Sequence, residues 1–352
     1  MFKTSILAAA TALLLSSLPA FAADPHKTRA IGDSNLIAPV PAPGYPEAMI
    51  VHGDKFYVSG PAAFGVGFAA VFVYDLESGR LLNTISITGE PYPGGASCLT
   101  FDDEGNLYVL VEALGVVKID HRTQQQSVYS PTLPVLFASS NPPAPFLAND
   151  LAFDKRGNLY ITDSFQASIW KVAKGGGPAR LWLHDARLNG LFGPNGLRID
   201  RAHDMLYFDQ TVDSSYVGYL YRVPLKDNPV FADLQLLHVW APNQYGFAGP
   251  DGLELSASGK IYVALAGASQ ISVIDPSNPN IAANEVARFS GPAKTSDPAH
   301  PLPWTNPANI AFDNENRRIL VTNHASLINP INPALFAVFD VYVDDRGIEQ
   351  DN

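Results

Sequence analysis

Apolar and polar positions alternate along most of the chain, and the alternating stretches come in pairs separated by short turns. The stretch Asn149 to Asp154 reads NDLAFD, and after a turn at Gly157 the stretch Leu159 to Ile161 reads LYI. Alternation with period two on both sides of a Gly- or Asn-containing turn is the pattern of an antiparallel hairpin. The sequence therefore predicts β-hairpins as its basic unit.

This hairpin unit recurs along the chain, and each hairpin is followed by another strand-like stretch such as Val71 to Tyr74. The copies begin at Glu47, Ser97, Asn149, Asn195, Asp251 and Ala308. A period of about 50 residues with three or four strands per unit, and almost no helical periodicity, predicts an all-β fold, a six-bladed β-propeller. The stretches Leu335 to Val343 and Ile31 to Val40 are expected to share the last blade and close the ring.

A stacked β-sandwich or a pair of β-domains is the alternative to a propeller. No Pro-, Gly- and Ser-rich linker divides the sequence, which favours one propeller domain over residues 23–352.

The N-terminal segment has a different pattern. Lys3 precedes the apolar stretch Ile6 to Leu18, and Ala20-Phe21-Ala22 follows with small residues at the positions that a signal peptidase reads. Residues 1–22 are therefore predicted to be a signal peptide, and the mature protein is predicted to be periplasmic or secreted. No later apolar stretch is long enough to span a bilayer, so no membrane span is expected.

Composition narrows the classes of partner. The formal net charge is −11 and no cluster of Lys and Arg offsets it, which argues against nucleic acid as a partner. Cys98 is the only cysteine, so no intrachain disulfide can form, and a monomer stabilised by its apolar core is expected.

One position of the repeat carries candidate chemistry. In a propeller the innermost strand of each blade lines the central channel, so equivalent repeat positions form a ring. This ring position holds Glu47, Ser97, Asn149, Asn195, Asp251 and Ala308. Carboxylate and carboxamide oxygens are the ligands that calcium prefers. The alternative is that the Asn-Gly and Asp-Gly pairs are ordinary turns.

The motifs at these positions resemble those of the senescence marker protein/gluconolactonase family, in the wider group of paraoxonases and diisopropylfluorophosphatase. They are Pro46-Glu47, Asn149 to Phe153, Gly193 to Leu197 and Gly249 to Leu253, in blade order over nearly the whole predicted mature chain. The resemblance implies that Glu47, Asn149, Asn195 and Asp251 bind a catalytic Ca²⁺, although another divalent cation is an alternative. It also implies hydrolysis of a small-molecule lactone or related ester.

The resemblance extends to further residues. It implies that Asp251 is the base or nucleophile, and that His324, at the end of an inner strand of the sixth blade, is a second catalytic residue or a structural loop histidine. Asp150 resembles a residue that helps to bind a structural calcium in paraoxonases, or else it orients Asn149. Gly252 stands where the paraoxonase site has an Asn, so an identical site is not expected.

Aromatic residues in the connecting loops are candidates for pocket walls. They are Tyr92, Phe165, Tyr216, Phe247 and Trp304. The leading functional hypothesis is a calcium-dependent lactonase or esterase-type hydrolase. Its rivals are a non-catalytic exported binding or scaffold propeller with a structural cation, and a strictosidine-synthase-like condensing enzyme that uses a Glu and no metal.

Overall fold

Six four-stranded antiparallel sheets make up the computed structural model of the chain. It describes residues 29–62, 65–136, 146–242, 246–291, 303–325 and 332–348. The predicted signal peptide lies outside the described residues and stays a prediction. Each sheet contains strands that follow one another in the sequence, with one exception at the closure, so each repeat unit forms one blade.

The strands of the first three blades are listed from the channel outward. Blade 1 contains β2 (Met49–His52), β3 (Lys55–Gly60), β4 (Ala70–Asp75) and β5 (Leu81–Ser86). Blade 2 contains β6 (Ala96–Phe101), β7 (Leu107–Val111), β8 (Gly115–Ile119) and β9 (Gln126–Ser130). Blade 3 contains β10 (Ala148–Phe153), β11 (Leu159–Asp163), β12 (Ser168–Val172) and β13 (Arg180–His184).

The remaining blades follow the same order. Blade 4 contains β14 (Phe192–Asp200), β15 (Met205–Val212), β16 (Gly218–Pro224) and β17 (Gln235–Trp240). Blade 5 contains β18 (Pro250–Leu255), β19 (Ile261–Leu265), β20 (Gln270–Ile274) and β21 (Glu285–Ser290). Blade 6 contains β22 (Pro307–Asp313), β23 (Arg318–Asn323), β24 (Ala337–Tyr342) and, as its outer strand, β1 (Ser34–Pro39). Short 3-10 helices span Ala186–Leu188, Phe231–Asp233 and Pro333–Leu335.

The ring closes where β1 pairs with β24, which confirms the predicted sharing of the last blade. Buried Asp340 on β24 accepts hydrogen bonds from Arg29 at 2.7 Å and from Arg318 at 2.9 Å. Because β1 supplies the fourth strand, β24 is paired on both sides, and the outer edge of the sixth sheet is β1. Strands from the two ends of the described chain therefore pair in one blade and close the propeller.

The core lies between neighbouring blades. Tyr108 of blade 2 meets Phe153 of blade 3 edge to face, with ring centroids 4.9 Å apart. Trp170 and Ile161, on the middle strands of blade 3, are almost completely buried. The alternation of each strand supplies apolar faces to both neighbouring blades, as expected for a propeller. Among the described residues, no helix has the length and apolar character needed to cross a membrane.

Candidate functional site

The predicted ring residues meet at one end of the channel. Glu47, Asn149, Asn195 and Asp251 line a single cavity of about 450 Å³ together with His324. Ser97 also lines the cavity, whereas Ala308 lies on β22 below it, buried and without a polar side-chain atom. The repeat comparison thus placed the candidate residues in one site.

Irregular pairing on the inner strands produces this convergence. The register of β10 against β11 shifts between Ala148 and Leu151, and the same shift occurs beside Asn195 and Asp251. A β-bulge leaves a residue unpaired and re-aims its side chain, and bulges are frequent next to functional sites. Glu47 differs, because it precedes β2, although its backbone N–H still donates to the carbonyl of Ser59 at 3.1 Å.

The Asn-Gly and Asp-Gly pairs lie inside strands, so the interpretation as ordinary turns is wrong. Asn195-Gly196 belongs to β14, and Asp251-Gly252 belongs to β18. A Cβ atom on Gly196 would collide with the carbonyl oxygen of Asp251, and one on Gly252 would collide with Asn309. These glycines let adjacent inner strands approach closely at the channel.

Hydrogen bonds orient the two carboxamides. The side-chain nitrogen of Asn149 donates to Ser164 at 3.2 Å, and that of Asn195 donates to Thr211 at 2.9 Å. These contacts use the amide nitrogens, so the carbonyl oxygens are the atoms left for a cation in the cavity. Ser164 therefore takes the orienting role that the sequence gave as one alternative for Asp150.

Hydroxyl groups on the second strands fix the backbone of the ring. Thr162 donates to the carbonyl of Asn195 at 2.6 Å, and Thr322 donates to the carbonyl of Glu47 at 2.6 Å. The corresponding position in blade 4 holds Asp209, which is completely buried. Burial and the neighbouring Asp251 raise the pKa of Asp209 well above its usual range. Sequence reasoning missed these residues, although each follows its ring position by about 13 residues.

The two carboxylates of the ring are not compensated by a cationic side chain of the described cavity lining. Burial and the charge of Asp251 raise the pKa of Glu47 well above its usual range. Burial raises the pKa of Asp251 to about 8, against a hydrogen bond from Asn195 that lowers it. No Lys or Arg is found among the described residues that line this cavity. Such a pair stays ionised at neutral pH only if a cation joins it.

His324 lies against Glu47 at the rim of the ring. Its Nε2 atom is 3.3 Å from Oε2 of Glu47 and 3.3 Å from the carbonyl oxygen of Ala62. Burial lowers the pKa of His324 to about 4, so its imidazole is neutral at pH 7. His324 follows β23, the second strand from the channel, and not the innermost strand β22.

A second layer of charges lies deeper in the channel, around Arg198. Its guanidinium donates to Asp150 at 3.0 Å and to Glu254 at 2.7 Å, and it reaches Asn309 at 3.3 Å. The thiol of Cys98 donates to Asp150 at 2.8 Å. One guanidinium therefore joins carboxylates of blades 3 and 5. We name Arg198, Asp150 and Glu254 the middle layer.

Sequence reasoning missed the middle layer, although the repeat contains a pattern that reveals it. Arg198 and Glu254 each stand three residues after a ring residue. Opposite charges at equivalent positions of adjacent blades predict an ion pair in the channel. Beyond this layer, Arg198 and Glu254 also line a second cavity of about 550 Å³, which contains none of the predicted site residues.

The predicted pocket aromatics divide into two groups. Phe165, Tyr216 and Phe247 line the cavity at the ring. Trp304 is buried, and its ring lies 6.4 Å from that of Phe339. Tyr92 is exposed and is not part of the cavity lining.

The residues present fit a calcium ion. The ring offers two carboxylates and two oriented carboxamides, an all-oxygen donor set of the kind that Ca²⁺ takes and zinc does not favour. Two largely buried carboxylates, beside which the described cavity lining places no Lys or Arg, match one divalent ion. The described residues contain no group of three or more His, Cys, Asp or Glu arranged for a metal, so this candidate depends on its two asparagines.

Comparison with known families gives one match along most of the chain. Residues 90–325 match the SMP-30/gluconolactonase/LRE-like region. This range contains the ring residues from blades 2 to 6 and His324. A comparison with curated proteins finds no match.

Solved structures share the fold. Regucalcin from Agrobacterium tumefaciens, described as a calcium-binding protein, has a TM-score of 0.59 at 18% identity, covering 90% of this chain and 94% of that one. A luciferin-regenerating enzyme has a TM-score of 0.58 at 14% identity, covering 90% and 97%. Virginiamycin B lyase from Staphylococcus aureus has a TM-score of 0.54 at 15% identity, covering 90% and 97%. At these identities the likeness concerns the fold.

Proposed function

Because the chain belongs to the SMP-30/gluconolactonase/LRE-like family, we propose that it is a calcium-dependent hydrolase of a lactone or related ester. One observation carries the proposal. Two largely buried carboxylates and two oriented carboxamides from four separate blades meet in one cavity that no Lys or Arg of the described chain enters. We also propose that the protein is exported, as its N-terminal segment predicts.

Glu47, Asn149, Asn195 and Asp251 would hold the ion. Calcium at this place would polarise the carbonyl or phosphoryl oxygen of the substrate and stabilise the negative charge that develops there. The volume of the cavity, about 450 Å³, suits a small-molecule substrate.

The chain's own residues would handle the proton. Asp251 is our candidate for the group that accepts a proton from the attacking water or attacks directly, because its carboxylate lies on the floor of the cavity. His324 is neutral at pH 7, since burial holds its pKa at about 4, so its imidazole is suited to hydrogen bonding the substrate or the attacking water more than to retaining a proton. Glu47, at 3.3 Å, orients the imidazole of His324.

The test combines metal removal with two ring variants. Hydrolysis of a lactone panel should require calcium, and Asp251→Ala and Asn195→Ala should each lose about 10²-fold or more in kcat/KM while circular dichroism shows a folded propeller. Unchanged turnover in both variants would refute the site.

A non-catalytic propeller with a structural cation is the second candidate. The same carboxylate pair favours it, because an ion there would also tie four blades together. It predicts that chelation lowers the melting temperature while no lactone is hydrolysed under any metal condition.

A further inference from the structure

The cavity above the ring has a polar floor and one strongly apolar side. The apolar side is built by blades 3, 4 and 5. We call it the apolar wall, and its residues are Phe165, Leu191, Phe192, Val212, Tyr216 and Phe247. A small-molecule site of this kind binds the apolar part of its ligand through the wall and orients the reacting part through the floor.

The wall residues are held in place by packing. The rings of Phe165 and Phe192 meet edge to face with centroids 5.6 Å apart. The ring of Phe247 lies on Gly249 and Gly267, where added Cβ atoms would come within 2.8 and 2.9 Å of it. Such close seating against two glycines fixes the ring at the cavity rim. The wall is thus a preformed surface.

The opposite side of the cavity is lined by small residues. Ala62, Gly94, Gly95 and Ala96 form it over blades 1 and 2. These residues offer little side-chain volume, so the described residues leave the space between them and the apolar wall to a ligand. A ligand whose reacting group sits on the ring extends towards the wall or into this gap.

The described lining of the cavity offers a hydroxyl-bearing substrate more apolar contacts than hydrogen-bonding partners. Several polar side chains of the floor are engaged within the protein. Ser97 donates to the carbonyl of Ala148 at 3.0 Å, and Thr211 accepts from Asn195 at 2.9 Å. Asn306 donates to the carbonyl of Ala266 at 2.9 Å. These bonds reduce the hydrogen-bonding capacity that the three side chains offer to a polyol, and a buried hydroxyl without a hydrogen bond costs binding free energy.

We infer that the substrate of the ring site is lipophilic, namely a lactone or ester with an alkyl or aryl group next to its reacting carbonyl, and is not a sugar lactone. The inference rests on the proposed function, since it concerns the substrate class of that same site. The apolar wall binds the substituent, and the ring residues face the carbonyl. Phe165 and Phe247 are the specificity residues.

Two series of compounds test the inference. The first is γ-lactones with substituents from methyl to hexyl, compared with a sugar γ-lactone. The second is the matching alkyl γ-lactams, which resist hydrolysis and report binding alone by calorimetry with calcium present. We expect kcat/KM and lactam affinity to rise about two- to fourfold for each of the first added methylenes, since each buried methylene favours binding by a similar factor.

Variants locate the effect. Phe165→Ser and Phe247→Ser, singly and together, should weaken the dependence of kcat/KM and of lactam affinity on alkyl length; we call this loss flattening of the two series. Phe68→Ser is the matched control, because Phe68 is 58% exposed and does not line the cavity, and it should leave both series unchanged. Melting temperatures show that each variant is folded.

The outcomes separate this inference from the proposed function. If lactam affinity rises with alkyl length but no lactone is hydrolysed, the wall binds as inferred and the hydrolase proposal fails. If lactones are hydrolysed but the sugar lactone is preferred and lactam affinity is independent of alkyl length, the inference is overturned. Equal flattening by Phe68→Ser would also overturn it, because the effect would not come from the wall.

Discussion

The channel contains two layers of buried carboxylates, and they differ in what compensates their charge. In the middle layer, Asp150 and Glu254 are bound by the guanidinium of Arg198 at 3.0 and 2.7 Å. In the ring above it, Glu47 and Asp251 line a cavity that no Lys or Arg of the described chain enters. The polypeptide supplies a permanent cation to the middle layer, whereas we propose that an exchangeable cation compensates the ring.

This difference assigns separate roles to the layers. A guanidinium cannot be removed by a chelator or displaced by a substrate, so the middle layer is suited to holding blades together. An ion held by side chains alone keeps positions open to a ligand, which is what a catalytic site needs. We therefore expect the middle layer to govern stability and the ring to govern activity.

Arg198→Met should have the largest effect on stability. It leaves Asp150 and Glu254 buried without their cation, and breaking a buried pair in this way costs about 3–5 kcal/mol. Urea unfolding should show this loss with calcium and also without it.

The matched control for Arg198→Met is Arg317→Met. Arg317 pairs with Asp344 where both side chains are 45% exposed, and such a pair contributes about 0–1 kcal/mol. Equal losses in the two variants would mean that the guanidinium of Arg198 does not hold the middle layer.

The effect of Glu47→Gln on the free energy of unfolding should have opposite signs with and without calcium. In chelated protein it removes a largely buried carboxyl group that must be protonated or left uncompensated at neutral pH, so we expect a gain of about 1 kcal/mol or more in the free energy of unfolding, the free energy that corresponds to about one pKa unit. With saturating calcium it removes a ligand, so the variant should be less stable than the parent. Thermal unfolding in both conditions measures the reversal.

The control for Glu47→Gln is Glu77→Gln, which changes an exposed glutamate and should have the same small effect in both conditions. If Glu47→Gln destabilised the chelated protein, the ring would have an internal source of compensation, and the contrast between the layers would fail.

The repeat made the blades and the ring predictable. Positions that recur about every 50 residues reveal the six sheets, and the apolar pattern of Ile31 to Val40 identifies the closing strand, observed at Ser34–Pro39. The ring residues followed from comparing one repeat position across blades. This works because a propeller places equivalent residues at equivalent distances from its axis.

Contacts between blades were not predictable in the same way. Asp150 was expected to hold a second calcium or to orient Asn149, yet it accepts hydrogen bonds from Arg198 and Cys98. Its partners are 48 and 52 residues away, and their approach depends on bulges and on glycines that the pattern does not show. The comparison of positions three residues after the ring would have found Arg198 and Glu254.

The pocket walls were only partly predictable, for a related reason. Trp304 appears in a loop like the other aromatics, but it packs against Gly291 and is buried. Phe192 and Leu191 were not singled out, although they line the cavity. The orientation of a loop side chain depends on its contacts with neighbouring blades, and these contacts cannot be read from the local sequence pattern.

The smallest expected effect is a pH dependence of stabilisation by calcium. Without calcium the folded protein holds Asp251 with a pKa of about 8, above that of the unfolded chain, so the folded state binds the extra proton. Stability of the chelated protein therefore falls as the pH rises towards 8. With calcium bound, both carboxylates are ionised and this slope disappears.

Between pH 6.5 and 8, comparing calcium-saturated with chelated protein isolates the contribution of the ring carboxylates to the pH dependence of stability. Below pH 6.5, His324 acts in the opposite direction, because its folded pKa of about 4 lies below that of the unfolded chain and stability rises with pH. Above pH 6.5 the unfolded His324 loses its proton. Glu112, whose pKa burial raises to about 7, contributes the same slope with and without calcium, so the difference between the two conditions belongs to the ring carboxylates. We expect the difference in melting temperature between calcium-saturated and chelated protein to widen by about 2–4 °C over this range. A constant difference would mean that Asp251 is already ionised without calcium, so the ring would be compensated as the middle layer is.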